Sequence, residues 1–330
     1  MTHQNVNDNS SGAANPPYPN PFIEERADPQ IVRHGESRYY FTATVPAFDR
    51  IVLRGADTLA GLRDAPETTI WTAHESGPMG SHIWAPELHR IDGAWYVYFA
   101  AGDAGDATAD VWRIRMYVLE NTGPDPLEGT WTEKGQITTP IDSFSLDATT
   151  FTCGGRRYLC WAQHNPALPG TNTSLYLAAM ANPWTITGEP VEIARPELDW
   201  ETIRFAVNEG PYALVRDGRV LITYSASGTG AEYCVGLLSA DAEADLLDAE
   251  AWTKHPEPVF ATSESNGIFG PGHNAFTVDE DGHDVLVFHA RSYAEIEGDP
   301  LDNPDRHCRL QRFGWRSDGM PDFGEPLPER

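Results

Sequence analysis

Short runs in which apolar and polar residues alternate, bounded by Gly, Pro, Asn and Asp, recur along the whole chain, and the 3.6-residue period of an amphipathic helix is scarce. Five stretches share one plan: a polar or acidic residue, a short strand, a tight turn, then an aromatic-rich strand. The first runs from Asp28 through the turn at His34–Ser37 to Arg38-Tyr39-Tyr40-Phe41-Thr42. The second runs from Ala85-Pro86-Glu87 through Asp92-Gly93 to Trp95-Tyr96-Val97-Tyr98-Phe99. The third runs from Asp147 through Gly154-Gly155 to Arg157-Tyr158-Leu159-Cys160-Trp161. The fourth runs from Glu209-Gly210-Pro211 through Asp217-Gly218 to Val220-Leu221-Ile222-Thr223-Tyr224. The last runs from His273 through Asp281-Gly282 to Val285-Leu286-Val287-Phe288-His289. Asp-Gly and Gly-Gly suit a two-residue hairpin, whose central positions need positive φ.

With Asp28, Glu87, Asp147, Glu209 and His273 as markers, the intervals are 59, 60, 62 and 64 residues. A repeat of this kind, with several short strands per unit, marks the blades of a propeller. The pattern predicts an all-β chain, a five-bladed β-propeller over residues 21–330, preceded by a flexible arm over residues 1–20. In a propeller the first strand of each blade lines the axis and all run in one direction. Asp28, Asp147, Glu209 and His273 are therefore expected to converge at one end of the central channel.

The 330 residues carry 49 acidic and 23 basic side chains, a net charge of −26. That balance disfavours nucleic acid and anionic membrane surfaces, which need a positive patch, and leaves a neutral ligand unpenalised. No apolar run reaches the ~20 residues that a membrane crossing needs. Lysine occurs only at 134 and 254, which fits either adaptation to salt or a coding bias joined to selection for solubility. The four cysteines, 153, 160, 234 and 308, show no C-x-x-C spacing. A two-residue turn at Gly154-Gly155 would pair Cys153 with Arg156 and Cys160 with Thr149, so they read as four reduced, mostly buried thiols. The first twenty residues lack a basic start, an apolar run and a small-residue cleavage site, and so predict a cytoplasmic protein. Oligomeric state leaves no trace in the sequence.

A carboxylate at the start of one strand is ordinarily a turn or cap residue. Three carboxylates and a histidine at equivalent places in a repeat are harder to explain that way, because like charges near low-dielectric walls cost stability. One carboxyl kept protonated beside another kept ionised suits glycoside hydrolysis, in which an acid protonates the leaving oxygen and a base activates water. His273 reads either as a satisfied axial histidine or as a ligand to a cation or water cluster; alone it is a poor metal site. Trp84 reads either as core or as an indole stacking on a sugar at a pocket mouth. Arg291 is either a surface fork or a donor to a sugar hydroxyl.

Five segments then resemble one family: Ala27-Asp28-Pro29, His82-Ile83-Trp84-Ala85-Pro86-Glu87-Leu88-His89, Phe144-Ser145-Leu146-Asp147-Ala148-Thr149, Val207-Asn208-Glu209-Gly210-Pro211 and Gly270-Pro271-Gly272-His273-Asn274. In this order and spacing the chain resembles glycoside hydrolase family forty-three from about Asp28 to Phe323. The resemblance implies an inverting mechanism with Asp28 as general base, Glu209 as general acid, and Asp147 orienting the acid and tuning its pKa. It also implies Arg291 as a sugar-binding arginine, and His273 as the axial histidine near which members hold a calcium ion or a water cluster. No cofactor is required for the chemistry. The segments Phe288-His289-Ala290-Arg291, Gly298-Asp299-Pro300-Leu301 and Asp305-Arg306-His307 most resemble the single-domain exo-acting α-L-arabinofuranosidases, implying arabinan or arabino-oligosaccharides as substrate. A β-xylosidase, or a mixed arabinofuranosidase and xylosidase, is the alternative enzyme, and a non-catalytic glycan-binding propeller the alternative of another class. Glu87 has no role in this scheme beyond packing.

Overall fold

The computed structural model describes residues 18–105 and 111–330, so most of the predicted arm, residues 1–17, lies outside the described residues. Four four-stranded antiparallel sheets and one three-stranded sheet follow one another in chain order as blades one to five. Their innermost strands are Ala27–His34, Ser81–Ile91, Ser145–Cys153, Asn208–Arg216 and Phe269–Val278. Each pairs with the strand that follows it. The turns at Asp92-Gly93, Gly154-Gly155 and Asp217-Gly218 join directly paired neighbours, with positive φ at both central residues, as the sequence requires. Cys153 faces Arg156 and Cys160 faces Thr149, and all four cysteines are free and buried.

Blade five departs from its expected two-residue turn. Val278 pairs with Asp284, and the five residues between them are organised by Asp279, whose Oδ1 accepts from the backbone of Asp281 at 3.0 Å and of His283 at 2.9 Å.

The second strand of each blade is an almost continuous apolar run because neighbouring blades cover both of its faces. Ala94–Gly102 (AWYVYFAAG) is buried throughout except at its first residue, whereas the outer strands Thr68–Thr72 and Thr132–Gln136 are half or fully exposed. The core is accordingly five apolar clusters, one at each junction between blades. Each fully buried Leu or Phe in them contributes roughly 1.5–3 kcal/mol.

Blade five is completed from the other end of the chain. Ile23 forms an antiparallel bridge with Cys308 at the edge of strand His307–Arg312, and Tyr18, Phe22 and Ile23 join the cluster between blades five and one. The predicted arm therefore extends too far: Tyr18 and Asn20 are buried, because they fill the edge that this three-stranded sheet leaves open.

Candidate active site

Every inner strand breaks its pairing at the same place. Ala27 pairs with Thr44 and Gln30 with Thr42, so Asp28 and Pro29 oppose the single residue Ala43. The same two-against-one bulge sets Ala85-Pro86 against Phe99, Asp147-Ala148 against Trp161, Gly210-Pro211 against Tyr224, and His273-Asn274 against Phe288. The first bulged residue is left-handed each time, with φ of 53° at Asp28, 44° at Ala85, 57° at Asp147, 53° at Gly210 and 45° at His273. Bulges re-aim side chains, and here they aim three charged ones at the channel. The repeating position is thus the left-handed residue, and the markers chosen by charge slip against it: Glu209 stands one residue before its bulge, opposite Ser225, and Glu87 two residues after its own.

Asp28 is buried and closely held. Its Oδ2 accepts from the Thr44 hydroxyl at 2.6 Å, and that hydroxyl accepts from the Ala85 amide at 2.8 Å, joining blades one and two. Its backbone N–H donates to His289 Nδ1 at 3.0 Å, which makes His289 a neutral ring with its proton on Nε2; burial pushes its pKa down to about 3. His273 Nδ1 lies 3.3 Å and Arg306 Nη1 3.6 Å from Asp28 Oδ1. Burial alone would raise this carboxyl, but the charges of His273 and Arg306 hold it well below the usual carboxylate range.

The other two carboxyls move the opposite way. Burial, reinforced by the charges of Glu209 and Asp28, pushes Asp147 up to about 7, although its Oδ2 accepts from the Gly210 amide at 3.0 Å. Burial also raises Glu209, against the Tyr233 hydroxyl that donates to its Oε1 at 2.7 Å. Desolvation opposes a charge on the half-buried His273, yet Asp28, Asp147 and Glu209 raise its pKa.

Asp28, Asp147, Glu209, His273 and Trp84 all line one cavity of about 510 Å³, together with Arg306 and the rings of Trp112, Phe144 and Phe205. Arg291 does not. It is buried behind the wall, donating Nε to Asn303 Oδ1 at 2.9 Å, Nη1 to the Thr229 carbonyl at 2.8 Å and Nη2 to the Pro300 carbonyl at 2.7 Å. It braces two wall loops and has no face toward the cavity. Two arginines do line the cavity: Arg204, and Arg306 on the loop before strand His307–Arg312, whose buried Nε has no protein partner. The only signal for Arg306 in the sequence was its place within Asp305-Arg306-His307. Glu87 accepts from or donates to His89 Nε2 at 2.7 Å and does not line the cavity.

The donors around His273 do not fit a directly coordinated calcium ion, which takes 6–8 oxygen ligands. Its Nδ1 faces Asp28, and among the described residues the one group of three His, Cys, Asp or Glu donors close enough to share an ion is Asp279, Asp281 and His283, on the blade-five turn.

The family model described as glycosyl hydrolases family 43 matches residues 18–321. The chain is 61% identical over 313 residues to an extracellular exo-α-(1→5)-L-arabinofuranosidase of Streptomyces avermitilis, covering 94% of this chain and 64% of that protein. It is 60% identical over 285 residues to a protein of the same name from Streptomyces chartreusis, covering 86% of this chain and 85% of that one. The crystal structure of an α-L-arabinofuranosidase from Lactobacillus brevis superposes with a TM-score of 0.92 at 50% identity, covering 95% of this chain and 98% of that one. The chain thus spans less than two thirds of the length of the first relative. The expectation of a cytoplasmic protein is overturned, since both Streptomyces relatives are named extracellular. The free thiols do not oppose this: all four are buried, Cys160 and Cys308 completely, with their pKa raised by burial, so they need no reducing compartment.

Proposed function

Because the chain belongs to the glycosyl hydrolases family 43, we propose that it is an inverting exo-α-L-arabinofuranosidase, releasing L-arabinose from α-1,5-linked arabinan or arabino-oligosaccharides. The observation that carries the mechanism is the opposed pair in one cavity: Asp28 held ionised by His273 and Arg306, and Glu209 raised by burial. Asp28 takes a proton from water as the water oxygen bonds to the anomeric carbon. Glu209 gives its proton to the glycosidic oxygen as the bond to that carbon breaks, so Asp28 finishes protonated and Glu209 ionised. Asp147 acts through the Gly210 amide, fixing the strand segment that bears Glu209. Arg306, which lines the cavity beside Asp28, supplies a charge-assisted hydrogen bond to a sugar hydroxyl. Trp84 offers an apolar wall for the sugar ring. The substrate assignment rests on the arabinofuranosidase relatives and on a cavity that a neutral sugar enters without opposing the net charge of −26.

A proton NMR time course with linear α-1,5-arabinotriose tests this. β-L-Arabinose appearing before mutarotation is expected; early α-anomer would mean retention, with Asp28 a nucleophile and not a base. Turnover of nitrophenyl β-D-xyloside in preference to nitrophenyl α-L-arabinofuranoside would replace arabinose with xylose. Asp28→Ala and Glu209→Ala should each lose ~10²–10⁴-fold in kcat on arabinotriose. Glu209→Ala should recover part of that on nitrophenyl substrates, whose leaving group needs little protonation; wild-type turnover by either variant would refute the assignment.

A further inference from the structure

Large apolar side chains exposed to solvent are few: among the described residues they are Trp112, Ile203, Phe205 and Val215, 46–56% exposed. Two of the four belong to the catalytic cavity, and a third is the near neighbour of one of them in sequence. Trp112 and Phe205 line it, and Ile203 lies on the same short loop as Phe205. Apolar surface concentrated in one place marks a binding site, whereas single scattered residues do not.

The loop bearing Phe205 is built to hold that ring out. The Ile203 amide donates to Ser227 Oγ at 2.9 Å, the Gly228 amide donates to the Ile203 carbonyl at 3.0 Å, and the Phe205 amide donates to the same carbonyl at 2.8 Å, closing a three-residue turn. Arg204 at its apex is a non-glycine residue with φ of 66°, a strained state that persists only where the surroundings impose it. Gly228 lies beneath: a Cβ there would stand 3.2 Å from Arg204 Cβ and 3.4 Å from Phe205 Cδ2. Trp112 is braced edge-on against Phe144, with ring centres 5.5 Å apart, and against His164 at 4.8 Å. Phe144 leads directly into the strand that carries Asp147.

Position says which part of a substrate these rings meet. The Phe205 loop runs into Glu209 within four residues. On the reading given above, Glu209 protonates the leaving oxygen, so whatever is attached to that oxygen lies on Glu209's side of the cavity. We infer that Phe205 and Trp112 are stacking platforms for the leaving-group portion of the substrate, the neutral furanose units beyond the scissile bond, and that they set a preference for oligosaccharides over single-sugar glycosides. The C–H faces of a furanose supply the apolar contact, and Asn172, Arg204 and Asp299 on the same wall supply partners for its hydroxyls.

This inference rests on the proposed reaction, and its test separates the two. Phe205→Ala and Trp112→Ala are compared with wild type on arabinotriose and on methyl α-L-arabinofuranoside, which carries no leaving-group sugar. Loss of an aromatic anchor predicts a fall of about ten-fold or more in kcat/KM on the triose, with a change under about two-fold on the methyl glycoside. An equal loss on both substrates, or no loss on the triose, overturns the platform. The same variants are assayed on xylotriose and methyl β-D-xyloside. A wild type that cleaves only these overturns the arabinan assignment, and the triose-to-methyl ratio on xylosides then decides the platform independently.

Discussion

Tyr233 shows how much one buried hydroxyl decides at this site. Its donation to Glu209 Oε1 at 2.7 Å occupies that oxygen, which on the proposed mechanism leaves Oε2 to carry the catalytic proton. Its ring lies flat on His289, 3° from parallel with centres 5.7 Å apart, and has room only because residue 272 is glycine; a Cβ there would stand 2.3 Å from Tyr233 Cε1. A donated O–H favours the ionised acid and so lowers the pKa of Glu209. Tyr233→Phe should therefore move the alkaline limb of the kcat/KM profile to higher pH, by roughly half a unit to one unit. An unmoved or lowered limb would show that the hydroxyl does not tune the acid. On the proposed mechanism the acid limb belongs to Asp28. Its folded pKa lies below the unfolded value of about 3.9, so the stability it contributes is complete above that pH and is lost as pH falls through the folded value. Activity at pH 4 should accordingly remain close to its plateau, which a pH–rate profile with paired unfolding curves checks.

At the scale of the strand, the bulge explains both what could be read from the sequence and what could not. The hairpin turns, the alternation and the aromatic second strands were legible because they depend on local rules of turn chemistry and burial. The equivalence of Asp28, Asp147 and His273 was legible too, since each is itself the left-handed residue of its bulge. Glu87 and Glu209 entered the repeat by charge, and charge slips against backbone geometry by two residues and by one. The dipeptides Asp28-Pro29, Ala85-Pro86 and Gly210-Pro211 record the true register, because proline fills the second bulged position, where no ladder donor is needed. Arg306 was missed as a site residue because it stands on a loop outside the repeat, and Arg291, the last residue of its strand, was placed in the cavity although its bonds to Asn303, Thr229 and Pro300 hold it behind the wall. Gly210 ties this geometry to function: at φ 53° a Cβ would stand 3.2 Å from the His273 ring. Gly210→Ala should cost about 1–2 kcal/mol of stability. It should also reduce kcat, since the strain falls on the segment joining Glu209 to the amide that Asp147 accepts. Unchanged kcat in a destabilised variant would mean that the bulge is structural only.

Over the whole molecule, stability is shared around a ring. Each of the five apolar clusters spans a junction between two blades, so the ring is as firm as the junction where the chain must be closed, between blades five and one. There the work is done by residues 18–23, which supply the missing edge of blade five. Asn20 is the pivot. It is buried, its Nδ2 donates to the Leu310 carbonyl and its Oδ1 accepts from the Leu310 amide, both at 3.0 Å, and its own carbonyl accepts from the Arg330 amide at 3.1 Å. One side chain thus satisfies both backbone groups of an edge residue, as a paired strand would. Asn20→Ala leaves a buried donor and a buried acceptor unpaired, at about 1–3 kcal/mol each, which in a chain of this size lowers Tm by on the order of 5 °C. The cavity lies at the axis and Asn20 at the outer edge of blade five, so kcat/KM at 25 °C should stay within about two-fold of wild type. A melting curve and one kinetic assay on the same preparation decide the matter. A Tm unchanged by the substitution would mean that the ring is closed by apolar packing of Tyr18, Phe22 and Ile23 alone, and a loss of activity at unchanged Tm would mean that the closure reaches the catalytic residues.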